Sequence, residues 1–178
     1  MKYEIEHIMK CIIEYNTGVP TSVIIGIFLI VCIQIVLLYR YNTDGLIFIR
    51  NASWCIFGGY VFFIFCSTVL FRDKTEEMHY FLHPFWSYST LYNRRIAEIV
   101  LNILMFIPIG FFLGSAIKNA SVLKVTGLGC LLSFSIEILQ LLTRSGVFNI
   151  DDVIHNTLGC IIGFYCFVIC YKMIKRIA

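Results

Sequence analysis

Apolar residues along the chain gather into five long runs, at about residues 21–39, 52–71, 96–114, 122–142 and 155–174. Each run is close to the roughly 20 residues that an α-helix needs to cross the hydrocarbon of a bilayer. The segments between the runs are too short to be linkers between domains. The pattern predicts an all-α membrane protein of about five transmembrane helices, forming a single integral membrane domain over residues 1–178.

Residues 3–14 differ from these runs because apolar and charged positions alternate there with helical spacing. The apolar positions are Ile5, Ile8, Met9, Ile12 and Ile13, and the charged positions opposite them are Glu4, Glu6 and Lys10. This spacing predicts a short N-terminal amphipathic helix that lies at the membrane interface. The first apolar run ends in Leu38-Tyr39-Arg40 without a small-residue cleavage site, so we interpret it as a retained helix rather than a signal peptide.

The composition agrees with a lipid environment and excludes several classes of protein. Hydrophobic residues make up 59% of the chain and charged residues 14%, whereas soluble domains are roughly half apolar and a quarter charged. The net charge of +3 is spread along the chain, and without a long basic run it predicts no nucleic-acid partner. Seven of the eight cysteines lie in apolar runs without a C-x-x-C pair, which predicts buried, reduced thiols.

The sequence lacks the common motifs for cofactors, metals and hydrolytic chemistry. It contains no G-x-S-x-G, no phosphate-binding loop and no H-E-x-x-H. His79 and His83 are four residues apart, a spacing that suits a metal on a helix, but Pro84 disfavours helical angles at His83. We therefore predict no cofactor and no metal site.

Polar side chains follow one face of three predicted helices, close to a helix end in each case. Residues three and four positions apart share a face of an α-helix. The stripes are Arg94, Glu98 and Asn102 on the third helix, Ser133, Glu137, Gln140 and Arg144 on the fourth, and Asp152, His155 and Asn156 on the fifth. Asn149 is the predicted N-cap of the fifth helix. Gly159 and Gly163 continue its face as a small-x-x-x-small pattern, which lets another backbone approach closely.

Because successive helices alternate in direction, the three stripes reach the same side of the bilayer, which also receives the loop 72–95. The charged residues on that side are four arginines, Arg72, Arg94, Arg95 and Arg144, and four acids, Glu98, Glu137, Asp151 and Asp152. A charge that faces lipid is costly, so these groups are predicted to turn inward and neutralise one another. The result would be an intramembrane polar chamber, open to one side of the membrane. We expect Asp152 to face it and Asp151 to cap the helix or face water.

The candidate ligand-binding residues of this chamber are Arg72, Arg94, Arg95, Glu98, Asn102, Glu137, Gln140, Arg144, Asp152 and Asn156. Glu137 and Asp152 are also the candidates for an acid or a base, because positioned carboxyl groups commonly transfer protons in enzymes.

The number of basic residues in the loops does not predict the orientation of the chain, but their distribution does. Lysine and arginine are equally numerous on the two sides. The side that holds the carboxyl terminus has short loops with almost no acids, which favours the cytoplasm under the positive-inside rule. We therefore expect the amino terminus outside and the carboxyl terminus in the cytoplasm.

Five segments match a known family in their order and spacing. They are "LFR" at 70–72, "HPFWSY" at 83–88, "LNILMFIPIGFFLG" at 101–114, "SFSIEILQLLTRSG" at 133–146 and "DDVIHNTLGCIIG" at 151–163. On these segments the chain resembles the VanZ-like family of small bacterial membrane proteins, with a core at about 70–163. The family's polar and small positions fall on Arg72, Pro84, Asn102, Pro108, Gly110, Glu137, Gln140, Arg144, Asp152, Asn156, Gly159 and Gly163. The resemblance implies a multi-pass protein of the bacterial cell membrane and a link to antibiotic resistance, namely low-level resistance to the lipoglycopeptide teicoplanin.

Three hypotheses for the function stay open at the level of the sequence. The first is a non-enzymatic protein whose chamber binds an anionic ligand, such as a membrane lipid, a lipid-linked cell-wall precursor or the lipoglycopeptide itself. The second is an intramembrane enzyme that modifies a cell-envelope lipid, with Glu137 or Asp152 as acid or base. The third is a scaffold or assembly partner in which the polar stripes only fix the packing of the helices. The ligand and the oligomeric state are left open.

Overall fold

The computed structural model of the chain describes residues 18–41, 44–76, 78–88 and 93–177. The amphipathic helix predicted over residues 3–14 lies outside these described residues. The helices are α1 Thr21–Tyr41, α2 Gly45–Phe65, α3 Asn93–Ala116, α4 Val122–Thr143 and α5 Ile150–Ile177. Five helical segments, one for each predicted run, are long and apolar enough to cross a membrane, which confirms the predicted fold class for this part of the chain.

Two helices begin earlier than the apolar runs indicate, because polar caps precede them. The Asp44 side chain accepts hydrogen bonds from the backbone N–H groups of Leu46 and Ile47, so α2 starts at Gly45 rather than near residue 52. Likewise α5 starts at Ile150, ahead of the apolar run that begins near residue 155 and directly after Asn149, the predicted N-cap. Capping side chains satisfy the first N–H groups of a helix, and hydropathy alone does not register them.

A π-helical turn, Cys66–Leu70, extends α2 at its carboxyl end. The N–H of Phe71 donates to the carbonyl of Cys66, five residues back. The hydroxyls of Ser67 and Thr68 both donate to the carbonyl of Ile64. Arg72 follows directly after this turn.

Glycines bring the backbones of α3 and α5 into direct contact. A Cβ added at Gly159 would collide with the carbonyl of Ile103, and one at Gly163 with the carbonyl of Ile107. From the other helix, a Cβ at Gly110 would collide with the carbonyl of Cys160. The close approach predicted from the spacing of Gly159 and Gly163 is thus confirmed, and the approaching helix is α3.

Below the polar stripes, the bundle has an apolar core shared by α2, α3, α4 and α5. Its buried members are Ile64, Phe106, Ile109, Leu113, Val125, Ile136, Cys160 and Phe164. By contrast, α1 lies at the periphery against α2. Between these two helices runs an open, mainly apolar groove of about 420 Å³, lined by Gln34, Trp54 and Phe62 among others.

Two short strands join the connecting segments at one end of the bundle. The strand β1, Tyr80–Phe81, pairs in parallel with β2, Phe148–Asn149, in the register Tyr80 to Phe148 and Phe81 to Asn149. A 3-10 turn, Trp86–Tyr88, follows β1. We call residues 78–88 the cover loop, because they lie over the ends of α4 and α5.

Candidate functional site at one end of the bundle

The polar stripes of α4 and α5 meet at the end of the bundle that the cover loop occupies. Glu137 is only 3% exposed, and its Oε2 accepts the backbone N–H of Asn149 at 3.0 Å. Gln140, one turn further toward the end of α4, is also buried and donates from Nε2 to the carbonyl of Thr68 at 3.4 Å. The face predicted for α4 therefore points into the protein and contacts the link to α5 and the π-helical turn.

Deeper in the bundle, Asn156 and Ser133 join the same two helices. The Nδ2 of Asn156 donates to the Ser133 hydroxyl at 2.8 Å, and both side chains are buried. The Oδ1 of Asn156 is buried without a hydrogen-bond partner. One turn above Asn156 on the same face, Asp152 is half-buried and accepts from the side chain of Asn149 at 3.0 Å. We call Ser133, Glu137, Asp152 and Asn156 the inner cluster.

Asn149 connects the inner cluster to the start of α5 and to the cover loop. Its Oδ1 accepts the N–H of Asp151 at 3.1 Å, which confirms it as the N-cap of α5. The same oxygen accepts the indole N–H of Trp86 at 3.3 Å. Its backbone N–H and its Nδ2 bind Glu137 and Asp152, as described above. One residue thus fixes the positions of both carboxylates relative to the loop above them.

Asp151 holds the cover loop in place, which the sequence analysis did not predict. The residue is 1% exposed, and its two carboxylate oxygens accept the backbone N–H groups of Phe85 and Ser87. The expectation that Asp151 caps α5 or faces water is therefore wrong. A carboxylate that accepts two backbone N–H groups can be buried, whereas one without partners would return to water.

Two further contacts fix the cover loop over the helix ends. The Tyr88 hydroxyl and Nε2 of His155 share a hydrogen bond of 2.7 Å, and the rings of Phe81 and Trp86 stack with centroids 4.0 Å apart. The chamber predicted to be open to one side is thus covered, so that Glu137 and Asn156 are almost fully buried.

Arg72 and Arg95 lie at the rim of this site rather than in its interior. Arg95 forms an ion pair with Glu98 at 3.4 Å, and its guanidinium carbon lies 4.6 Å from the centre of the Trp86 ring. Arg72 is exposed but lies within electrostatic range of both Glu137 and Asp152. The side chain of Arg94 lies outside the described residues.

Arg144 does not take the position that the helical wheel predicts. The helix α4 ends at Thr143, and Arg144 has a left-handed backbone with φ of 56°. Its side chain is exposed, and its carbonyl accepts the N–H of Thr75 at 2.7 Å, which places Arg144 close to the segment that follows Arg72. Because the left-handed residue breaks the helical periodicity, Arg144 and Glu137 no longer share a face.

The predicted neutralisation of four arginines by four acids is not what the described part of the chain shows. There, the ion pair between Arg95 and Glu98 stands alone, and Glu137 and Asp151 bind backbone N–H groups instead. Asn102 is half-buried on α3, one turn below Glu98. Helical periodicity identified Glu137, Gln140, Asp152, His155 and Asn156, but it gave no signal for Asp151, Thr68 or Tyr88, whose partners lie far away in sequence.

These features define a class of protein: a small multi-pass membrane protein whose five helices hold a covered polar site at one end. The chain belongs to the VanZ/LLP1 family, whose sequence model matches residues 52–171. It is also similar to Protein VanZ of Enterococcus faecium, with 35% identity over 66 residues. That match covers 37% of this chain and 41% of the enterococcal protein, so the two are aligned over less than half of either length. No solved structure matches the chain.

Proposed function

We propose that the protein acts in the bacterial cell envelope by binding an anionic group at the arginine rim of the covered site. The ligand would be a membrane lipid, a lipid-linked cell-wall precursor or a lipoglycopeptide. Through this binding the protein would contribute to low-level teicoplanin resistance, in keeping with its membership of the VanZ/LLP1 family. The chain crosses the membrane twice before the cover loop, so the amino terminus and the site would both lie on the outer side.

The observation that carries the proposal is the exposure of Arg72 and Arg144 at the end of the bundle that holds the cover loop. In the described part of the chain, neither guanidinium has an ion-pair partner. Arginine binds phosphate and carboxylate groups through its planar fork of donors. A guanidinium near the headgroups of a bilayer is therefore well suited to hold an anionic headgroup.

Native mass spectrometry of the purified protein tests this proposal. The probe is phosphatidylglycerol, and the variants are Arg72→Ala and Arg144→Ala. Arg40→Ala is the matched control, because Arg40 lies in the last turn of α1, at the opposite end of the bundle. We expect the two rim variants to weaken lipid binding by about tenfold, the loss of one charge-assisted interaction. Equal binding by all four proteins would contradict the proposal.

Susceptibility to teicoplanin provides the corresponding test in cells. A susceptible bacterium that expresses the wild-type chain is expected to tolerate more teicoplanin than one that expresses Arg72→Ala at the same level. If resistance is unchanged while lipid binding is lost, binding at the rim is not the basis of resistance. If Arg144→Ala lowers the melting temperature as much as it lowers resistance, the site acts as a scaffold.

A second candidate function is an intramembrane enzyme that acts on a cell-envelope lipid. The electrostatic interaction between the carboxyl groups of Glu137 and Asp152 favours it, because neighbouring carboxyl groups can divide the roles of acid and base. Incubation of purified protein with a lipid-linked precursor, followed by mass spectrometry of the lipids, tests for a product. Loss of product in Glu137→Gln with binding retained would support the enzyme.

A further inference from the structure

We propose that the inner cluster binds a protonated primary amine, so that the ligand of the site is a zwitterion with a phosphate next to an ammonium group. This inference rests on the proposed function, since the phosphate would lie on the arginine rim. It adds the chemical class of the second group and assigns that group to Glu137, Asp152 and Asn156.

The first argument is the excess of acceptors in the inner cluster. Asp152 opposes Glu137 electrostatically, and Arg72 attracts both from the rim. Arg95, which also attracts Asp152, is already paired with Glu98. Among the described groups around the cluster, the carboxylates of Glu137 and Asp152 thus repel each other, and both are attracted by the same guanidinium, that of Arg72. A cation between them would relieve this repulsion.

The second argument is the buried oxygen of Asn156, which is independent of the charges. Asn156 is 2% exposed, and its Nδ2 is used by Ser133, yet its Oδ1 has no partner. A buried acceptor without a donor is costly, and native proteins contain few of them. Since Asp152 and Asn156 are one turn apart on α5, the side chain of Asn156 lies on the helix face that also carries Asp152.

The third argument is the match between these acceptors and the donors of an ammonium group. A primary ammonium has three N–H donors and no acceptor. Glu137, Asp152 and Asn156 offer three acceptor groups on the facing sides of α4 and α5. Asp152 is half-buried, whereas Glu137 is almost fully buried. A ligand would therefore enter the cluster past the carboxylate of Asp152, beside Arg72 at the rim. A phosphate on Arg72 and an amine on the carboxylates would be separated by a short linker, as in a phosphoethanolamine headgroup.

A series of lipids with the same acyl chains tests the inference on the wild-type protein in detergent, with native mass spectrometry as the readout. The probes are phosphatidylethanolamine, its N-monomethyl derivative, phosphatidylcholine and phosphatidylglycerol. All four carry the phosphate, but phosphatidylcholine has no N–H donor and phosphatidylglycerol no cation. We expect phosphatidylethanolamine to bind about tenfold more tightly than the last two, with the monomethyl lipid between. Equal binding of the four lipids would overturn the inference.

Two isosteric variants assign the preference to the inner cluster. Glu137→Gln and Asp152→Asn should each reduce binding of phosphatidylethanolamine to the level of phosphatidylglycerol, while binding of phosphatidylglycerol is unchanged. Asp44→Asn is the matched control, because it makes the same chemical change at the N-cap of α2, at the other end of the bundle. Thermal melting confirms that each variant is folded. If the preference survives in both cluster variants, the amine is not bound by the cluster.

Arg72→Ala separates this inference from the proposed function. If this variant weakens the binding of all four lipids equally, and the wild-type protein binds the four lipids with equal affinity, the rim binds phosphate and the amine inference alone fails. If it leaves every lipid unchanged, the rim does not bind phosphate and the proposed function fails.

Competition with soluble O-phosphoethanolamine identifies the source of the zwitterion. Displacement of phosphatidylethanolamine would indicate that the headgroup suffices and that a soluble phosphate ester can be the ligand. Retention of the lipid would indicate that the acyl chains are required and that the ligand is a membrane lipid. Both results agree with binding of the amine by the inner cluster.

Discussion

At the scale of single residues, Asn149 shows how one side chain can organise a polar site inside a membrane protein. It caps α5, donates to Asp152 and accepts from Trp86, while its backbone N–H binds Glu137. Each of these groups would be left without a partner in a region where water is scarce, and an unsatisfied group there is costly. The residue therefore couples the helix start, the carboxylates and the cover loop.

Replacing Asn149 with alanine should destabilise the protein by about 2 kcal/mol, the combined loss of a cap and of side-chain hydrogen bonds. Thermal unfolding in detergent, followed by the fluorescence of tryptophan, measures the change. Asn51→Ala is the matched control in α2, where it makes the same side-chain truncation away from the site. A melting temperature equal to that of the control would show that the hydrogen bonds of Asn149 contribute no net stability.

The sequence allowed some residues of the site to be predicted for a clear reason. Glu137, Gln140 and Asn156 lie within regular helices, where spacing alone determines the face of each side chain. Arg144 lies at a helix end, where a left-handed backbone breaks that spacing. Asp151 was assigned wrongly because its partners are backbone N–H groups more than 60 residues away, and no periodicity reveals them.

At the scale of elements, the seam between α3 and α5 is the closest packing in the described bundle. Gly110, Gly159 and Gly163 leave no space for a Cβ, because a carbonyl of the facing helix occupies it. Such backbone contact permits extensive van der Waals packing between helices, which drives association in lipid where the hydrophobic effect does not. The seam holds α5, and with it Asp152 and Asn156, in a fixed position relative to α3.

Gly163→Ala should destabilise the protein by about 3 kcal/mol, because the added methyl group forces the two backbones apart. Gly127→Ala is the matched control, since a Cβ at Gly127 has nothing within 4 Å. Thermal unfolding of both variants in the same detergent gives the comparison. Similar melting temperatures for the two variants would argue against close packing at the seam.

The cover loop is the second element whose role can be tested directly. Asp151→Ala removes the acceptor for the N–H groups of Phe85 and Ser87, so the cover loop should open more often and let chymotrypsin cleave it at Tyr80 and Phe81. We expect cleavage there to accelerate by about tenfold or more. Asp73→Ala, in the exposed residues that precede the cover loop, should leave the rate unchanged. Equal rates in the two variants would show that Asp151 does not hold the loop.

The five helices were predicted from the sequence, but the elements between them were not. Runs of about 20 apolar residues are a strong signal for a spanning helix. The strands β1 and β2 contain two residues each, too few to show a period of their own. Their pairing follows from the position of the cover loop over the link between α4 and α5, which the sequence does not display.

At the scale of the whole molecule, the direction of the chain determines which compartment the covered site faces. The cover loop and the link between α4 and α5 lie at one end of the bundle, and the link between α3 and α4 lies at the other. We proposed an outward-facing site because the loops at the opposite end are short and nearly free of acids. The family match and the helices fix the multi-pass class but leave this direction as a prediction.

Labelling of single added cysteines in intact cells tests the direction. Lys74→Cys, on the side of the cover loop, should react with a membrane-impermeant maleimide, and Lys118→Cys, between α3 and α4, should react only after lysis. Both lysines are exposed, so reactivity reports the compartment rather than burial. The background should be a chain whose native cysteines are replaced by serine or alanine. Labelling of Lys118→Cys alone would reverse the topology.

The π-helical turn at Cys66–Leu70 has a consequence for how the family can vary in length at this point. A π-turn holds one more residue than an α-helical turn, so removal of Val69 would let α2 continue with ordinary α-helical bonding. Because a π-turn uses this extra residue for the same rotation as an α-helical turn, the residues after the deletion would keep their direction around the helix axis. The guanidinium of Arg72 would therefore stay beside Glu137 and Asp152. A relative that is one residue shorter in this turn can therefore keep its basic residue directly after the helix, with the same charge beside the two carboxylates.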